Sequence, residues 1–294
     1  MPVFPPSPAC VLRVITRINH TGRHEVEDVL LREEAYDLIC DGQTVARMHC
    51  MPTSLEELAV GRLFTLGLLR DARQISSLTI RHPAGQDADR MPPPDPRLAA
   101  ESAHGQDSLA GASTASAAES PFSPASPRAA ALPSLKLRSA GSIHVSLAPP
   151  PALDDAAKLA DVRLDAAQVH SLQTAFEERC ALFRQTGAAH SCALATPEGI
   201  LLFYEDIARH NALDKLIGAM QLQNVPPEGK LMIFSGRLAV DMLEKAAVSG
   251  VRLLMAPGAP SLASVELAEA MRISLLGFVR KDNINIYTCP HRIV

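Results

Sequence analysis

Tryptophan is absent from this 294-residue chain, and aromatic residues make up only 4% of it. Any core must therefore be packed from Ala, Leu, Val and Ile. No apolar run approaches the roughly 18–20 residues needed to cross a bilayer. Met1 to Cys10 carry prolines rather than a basic-then-apolar leader. A soluble, cytoplasmic protein without a membrane partner is expected. Charge of one sign is also missing: 28 Lys and Arg against 32 Asp and Glu leave a net −4. That balance gives no basis for nucleic acid as a partner, so an anionic ligand must be held by a local basic cluster. The six cysteines, Cys10, Cys40, Cys50, Cys180, Cys192 and Cys289, include no CxxC pair and no metal-finger spacing. Reduced thiols and no zinc are the expectation.

What is present divides into three stretches. Residues 1–83 read as a small α+β domain. Val11–Asn19 and Val26–Leu31 are expected strands, and Asp41-Gly42 joins strands Tyr36–Cys40 and Thr44–His49 as a hairpin turn. Ser54 with Glu57 fits a capping box for a helix running to about Leu69, and Ile75–Ile80 is a further strand. Residues 84–135 are Pro, Ala, Ser, Gly and Asp without apolar periodicity, which predicts a disordered insertion.

Residues 136–294 read as an α/β domain, with 136–165 as an extended loop. Helices are expected near Ala166–Leu182, Asp206–Met220, Leu238–Ser249 and from a Ser261 cap to Met271. They alternate with strands at Ile200–Tyr204, Leu231–Phe234, Val251–Met255, Ile273–Val279 and Asn283–Thr288. Leu213, Leu216, Ile217 and Met220 fall on one helical face. Strands alternating with helices predict a largely parallel sheet, with ligands at the carboxyl ends of its strands.

Several polar clusters fall at those ends: Thr186-Gly187-Ala188-Ala189-His190, then Glu205-Asp206-Ile207-Ala208-Arg209-His210-Asn211, then Ser235-Gly236-Arg237. Arg280-Lys281-Asp282-Asn283 follow the last long strand. A Gly at a strand-to-helix turn lets backbone N–H groups approach an anion, and a neighbouring Arg can fork onto phosphate. Each cluster alone has a plainer explanation: surface ion pairs at Glu205, Asp206, Arg209 and Asp214, or a core histidine at His190. Together they favour a nucleotide-like or otherwise phosphorylated ligand.

The order of these segments resembles one family. YEDIARHNALDKLIG (204–218) is similar to its signature (H/R)EDxGRHxALDKLxG, with Ala208 in place of a Gly. TGAAH (186–190), SGR (235–237), LLGFVR (275–280) and NIYTCPHRI (285–293) follow in order, and MPTSLEELAVGRLFTLGLL (51–69) is similar to the upstream helix. The family is the formate dehydrogenase accessory sulfurtransferases, the FdhD family. The resemblance implies a cytidine-deaminase-like C-terminal domain, a small N-terminal domain and a homodimer. It also implies sulfur accepted from a cysteine desulfurase as a persulfide. That sulfur passes to the bis(molybdopterin guanine dinucleotide) molybdenum cofactor, bound as substrate, before the formate dehydrogenase catalytic subunit takes it up.

The resemblance assigns cofactor binding to Phe278, Val279, Arg280, Lys281, Asp282 and Asn283. His190, Glu205, Arg209 and His210 would shape the pocket, with Ser235, Gly236 and Arg237 on phosphate. The family's persulfide cysteines are missing: counting back about fifty residues from His190 places Gly141 and His144 at their positions. Cys192 is the substitute nearest the expected pocket. A cofactor-binding chaperone or regulator without sulfur transfer is the alternative. A zinc deaminase, the other activity a deaminase-like fold would permit, is excluded because His190-Ser191-Cys192 lacks the glutamate and no downstream cysteine pair exists.

Overall fold

Hairpins build the N-terminal part. In the computed structural model, which describes residues 8–82, 139–148, 161–280 and 283–294, β1 (Cys10–Asn19) and β2 (Gly22–Leu31) form an antiparallel sheet of their own. Strands β3 (Glu34–Cys40) and β4 (Gln43–Cys50) meet at Asp41-Gly42, whose φ of 47° and 81° make the expected turn. A second sheet runs β4-β3-β6-β5, from β5 (Ile75–Arg81) and β6 (Ser139–Leu147).

Strand β6 stands where the sequence predicts an extended loop of the C-terminal domain over 136–165. It pairs parallel with β3 and antiparallel with β5, crossing the expected domain boundary. Ile143 and Val145 alternate into the core beneath the sheet, but Gly141, Ser142 and Ser146 around them thin out the strand signal. The insertion at 84–135 lies outside the described residues.

Helix α1 (Leu55–Thr65) follows β4 and packs Leu55, Leu58, Val60 and Leu63 against Tyr36, Leu38, Met48 and Ile143. Ser54 precedes it, but in a left-handed conformation (φ 51°) and with no side-chain cap, so the expected capping box does not form.

The second half forms a six-stranded sheet of order β12-β11-β10-β9-β7-β8. Its strands are β7 (His190–Thr196), β8 (Gly199–Asp206), β9 (Leu231–Phe234), β10 (Leu253–Met255), β11 (Ser274–Arg280) and β12 (Asn283–Thr288). The sheet is mixed rather than largely parallel. Strands β9, β10 and β11 are parallel, while β12 and the β7–β8 hairpin join them antiparallel. Strand β7 is not expected from the sequence, because Ser-Cys-Ala-Leu-Ala-Thr offers no β-branched or aromatic pattern inside it.

Helices cover both faces. Leu172 and Phe176 of α2 (Ala166–Arg179) pack with Ala193, Ile233 and Leu276 on one side. The expected helix to Leu182 breaks at Cys180, and a short α3 (Ala181–Thr186) follows. The other face receives α4 (Arg209–Leu222), α5 (Val240–Val248) and α6 (Leu262–Ala270), the last capped by Ser261 as expected, its hydroxyl accepting from the Ser264 N–H at 3.2 Å.

Helix α4 carries the expected Leu213, Leu216, Ile217 and Met220 face, yet every residue from Asn211 to Met220 is buried. Its far side is covered by α1. There a Cβ at Gly61 would stand 1.8 Å from the Asp214 carbonyl oxygen, and one at Gly218 would stand 1.8 Å from that of Glu57. The two backbones touch directly. Among the described residues no helix is long and apolar enough to cross a membrane.

Candidate functional site

Register brings the expected clusters to one end of the six-stranded sheet. His190 pairs with Asp206, Ser191 with Glu205, and Cys192 with Phe234, so the start of β7 adjoins the ends of β8 and β9. Because β9, β10 and β11 run parallel, Ser235–Arg237, Gly258 and Phe278–Arg280 end on that same edge.

Each part is held by backbone chemistry. The Ser191 N–H donates to Ser235 Oγ at 2.9 Å, and the Ser235 N–H donates to the Ser191 carbonyl at 3.0 Å. Above Gly236 the nearest atom to a hypothetical Cβ is His190 Nδ1 at 3.9 Å, which leaves room for a ligand atom. Arg237 is exposed and lies over Gly258, where a Cβ would meet its Cγ at 3.2 Å. The Phe278 N–H donates to the Gly258 carbonyl at 3.2 Å, with Phe278 itself at φ 49°. A bulky residue in the left-handed region is a backbone outlier of the kind that collects at binding sites. The exposed Arg280 guanidinium sits 5.8 Å from the Phe278 ring centroid. Two exposed arginines and an open glycine turn at one edge are groups of the kind that hold phosphate.

Other expected residues serve different purposes. Glu205 turns toward α3: Ser191 Oγ donates to it at 3.1 Å and the Leu182 N–H at 3.4 Å, while burial pushes its carboxyl up from the ordinary value. Arg209 and His210 both reach Asp241, at 3.0 and 3.1 Å. His210 and Asp241 line a cavity of about 570 Å³ with Arg62, Thr65 and Lys245. Val279 is fully buried in the core, so it positions its neighbours and offers no side chain to a ligand. Asn283 is exposed at the start of β12, its Nδ2 donating to Asn285 Oδ1 at 3.1 Å. Lys281 and Asp282 lie outside the described residues.

The surface-ion-pair reading fails for Asp206 and Asp214, both with fully buried side chains. Asp206 meets the equally buried Lys215 at 2.7 Å and accepts from the N–H groups of Met51 and Ala208. Asp214 is held by Lys245 at 2.7 Å and Arg62 at 3.2 Å. Sequence reasoning missed Lys215, Lys245 and Arg62. The only signal was two charges, Asp214-Lys215, inside an otherwise apolar helical face.

The candidate substitute thiol lies inside the core. Cys192 is 1% exposed within the core, and burial, with Asp214 adding to it, drives its thiol far above the ordinary value. It is neither reachable nor a thiolate. Cys180 is likewise buried, its Sγ donating to the Phe176 carbonyl at 3.2 Å. Gly141 and His144 lie within β6 rather than in a loop, and a Cβ at Gly141 would stand 2.4 Å from the Arg81 carbonyl oxygen. His144 Nε2 is 2.8 Å from Ser142 Oγ.

Both site histidines are held neutral. Burial lowers His190 from its ordinary value of 6.5, and Arg209 lowers it further. Burial and then Lys245 do the same to His210. The unfolded chain therefore binds protons near pH 6.5 that the folded chain refuses until lower pH. Stability from these groups is complete above pH 6.5 and is lost as pH falls below it. The urea midpoint is expected to drop between pH 7.5 and 5.5, and to drop less in a His190→Gln/His210→Gln variant. An equal drop in both proteins would refute this account.

Taken together, the chain has a mixed α/β fold in which His190, Ser235–Arg237 and Phe278–Arg280 lie at one end of the six-stranded sheet. The chain belongs to the FdhD/NarQ family, which it matches over residues 31–294. It is 31% identical over 268 residues to the sulfur carrier protein FdhD of Shouchella clausii, covering 91% of each chain. Against the protein of the same description from Bacillus subtilis it is 27% identical over 285 residues, 95% of this chain and 98% of that one. The fold is shared with a crystal structure described as a putative formate dehydrogenase accessory protein from Desulfotalea psychrophila. That likeness has a TM-score of 0.70 at 22% identity, covering 98% of this chain and all of the other.

Proposed function

We propose that this protein is a sulfur carrier for formate dehydrogenase, acting as a cytoplasmic homodimer. In this reading it receives sulfur from a cysteine desulfurase and presents it to the bis(molybdopterin guanine dinucleotide) molybdenum cofactor. The cofactor is its substrate, held before the formate dehydrogenase catalytic subunit takes it. The C-terminal part is read as cytidine-deaminase-like. One observation supports the binding half of this reading: Gly236, Arg237, Phe278 and Arg280 share one sheet edge. Arg237 and Arg280 would neutralise pyrophosphate, and the Phe278 ring would meet a guanine. Charge-assisted contacts of this type contribute about 1.5–3 kcal/mol each, enough to hold an anion on a protein of acidic net charge.

A second reading is favoured by the cysteines. With Cys192 in the core and a strand at Gly141 and His144, the chain would hold the cofactor without carrying sulfur. Two measurements separate the readings. GDP, a fragment of the cofactor, is expected to bind saturably, with affinity falling at least about tenfold in an Arg237→Ala/Arg280→Ala variant. Absence of binding would remove the cofactor role from both. Intact mass after incubation with a cysteine desulfurase and cysteine then decides the rest. A reducible gain of one sulfur supports the carrier, and none, beside a CxxC-bearing relative that gains it, supports the holder.

A further inference from the structure

Among the described strands, the most exposed large apolar side chains are on β1 of the β1–β2 ribbon. On β1, Leu12, Val14 and Ile18 are 61%, 66% and 75% exposed and alternate onto a single face with Thr16. Their cross-strand partners on that face are Val29, Glu27, Arg23 and, opposite Thr16, Glu25. Among the described residues, Arg23, Glu25 and Glu27 have no ion-pair partner. A two-stranded ribbon is marginal in water by itself, and a contiguous exposed apolar strip marks an interaction surface. The ribbon precedes nearly all of the range matched by the family, residues 31–294.

We infer that this face docks onto the same face of a second copy of the chain. The charges are self-complementary in one arrangement. A two-fold axis lying across the ribbon at the Thr16–Glu25 pair sets two strips face to face and antiparallel. Ile18 then packs on Val14 of the partner subunit, and Arg23 meets Glu27 of the partner subunit. Thr16 meets its own equivalent, and so does Glu25, the one repulsive contact. The other occupant within the chain, residues 84–135, carries six acidic against three basic residues and would set more negative charge against Glu25 and Glu27. The inference rests on the homodimer reading and deepens it by placing the interface.

Sedimentation equilibrium of the full chain tests it. Wild-type protein is expected to dimerise, and Val14→Glu to weaken dimerisation at least about tenfold. Arg23→Glu and Glu27→Arg are each expected to weaken it, and the two together to restore it, since the exchanged charges would again meet with opposite sign across the axis. Glu25→Gln is expected to tighten the dimer. Thr16→Cys is expected to yield a disulfide-linked dimer on mild oxidation that the wild type does not form. A wild-type monomer overturns both the interface and the homodimer reading. A wild-type dimer indifferent to Val14→Glu, with no cross-link through Thr16→Cys, overturns the interface alone.

Discussion

Replacing Lys215 with Met is expected to destabilise the protein by about 3–5 kcal/mol, the usual loss when one partner of a buried ion pair is removed. Met matches the length of the stem, so the core keeps its volume and the change is electrostatic. Lys215 Nζ lies 2.7 Å from Asp206 Oδ2, with both side chains fully buried. Asp206 also accepts from Asn211 Nδ2 at 3.1 Å, and Asn211 in turn donates to the His49 carbonyl at 2.6 Å. The variant leaves a carboxylate in the interior facing three donors but no cation. Adding Asp206→Asn removes that charge, so the double variant should regain at least half of the loss. Urea unfolding of the single and double variants makes the comparison, and a loss below about 1 kcal/mol in Lys215→Met would contradict the account. The consequence reaches the site. The same ammonium is 3.4 Å from the Glu205 carbonyl and from Thr53 Oγ1, tying the end of β8 to the chain ahead of α1.

The second large effect is expected at the α1–α4 crossing. Gly218→Ala should cost about 3 kcal/mol or more, the upper part of the range for overpacking. The sign is informative, because helix propensity alone predicts a gain of about 1 kcal/mol for Gly→Ala in a helix interior. A methyl at 218 would lie 1.8 Å from the Glu57 carbonyl oxygen and 2.8 Å from the Gly61 nitrogen, both backbone atoms that no rotamer change can move. Gly61→Ala meets the reciprocal obstacle at Asp214. Thermal unfolding of either variant measures this, and a raised midpoint would show that the helices do not approach as closely as described.

Local chemistry made much of the fold legible in the sequence. The Asp41-Gly42 turn, the Ser261 cap and the apolar face of α4 each rest on interactions within a few residues. What the sequence hid depends on partners far along the chain. Strand β7 is made of small residues because it lies inside the sheet between β8 and β9. Strand β6 joins a sheet whose other strands precede it by more than fifty positions. Ser54 keeps its place at the start of α1 without capping it, since its left-handed backbone turns the hydroxyl elsewhere.

At the proposed site, His190, Ser235–Arg237 and Arg280 are legible because strand ends and glycine turns are visible one segment at a time, whereas Phe278 and Val279 enter only through the family resemblance. The charged interior was not. Asp206, Asp214, Lys215 and Lys245 look like surface residues until α1 is laid over α4 and the two carboxylates find cations on other elements. Cys192 failed for a related reason: two positions beyond His190 on a strand it shares that residue's face in number, yet the sheet carries it inward, away from the edge.

Strands β5 and β6 are antiparallel neighbours, with Arg81 opposite Ser142. The chain therefore leaves the four-stranded sheet and re-enters it at adjacent positions, whatever happens in between. For such a port, the entropy of closing the excursion grows only logarithmically with its length, about 0.6 kcal/mol per doubling. Evolution can lengthen, shorten or exchange the sequence between these two strands with little effect on the sheet, and an engineer can use the same doorway to insert a reporter domain or a purification module.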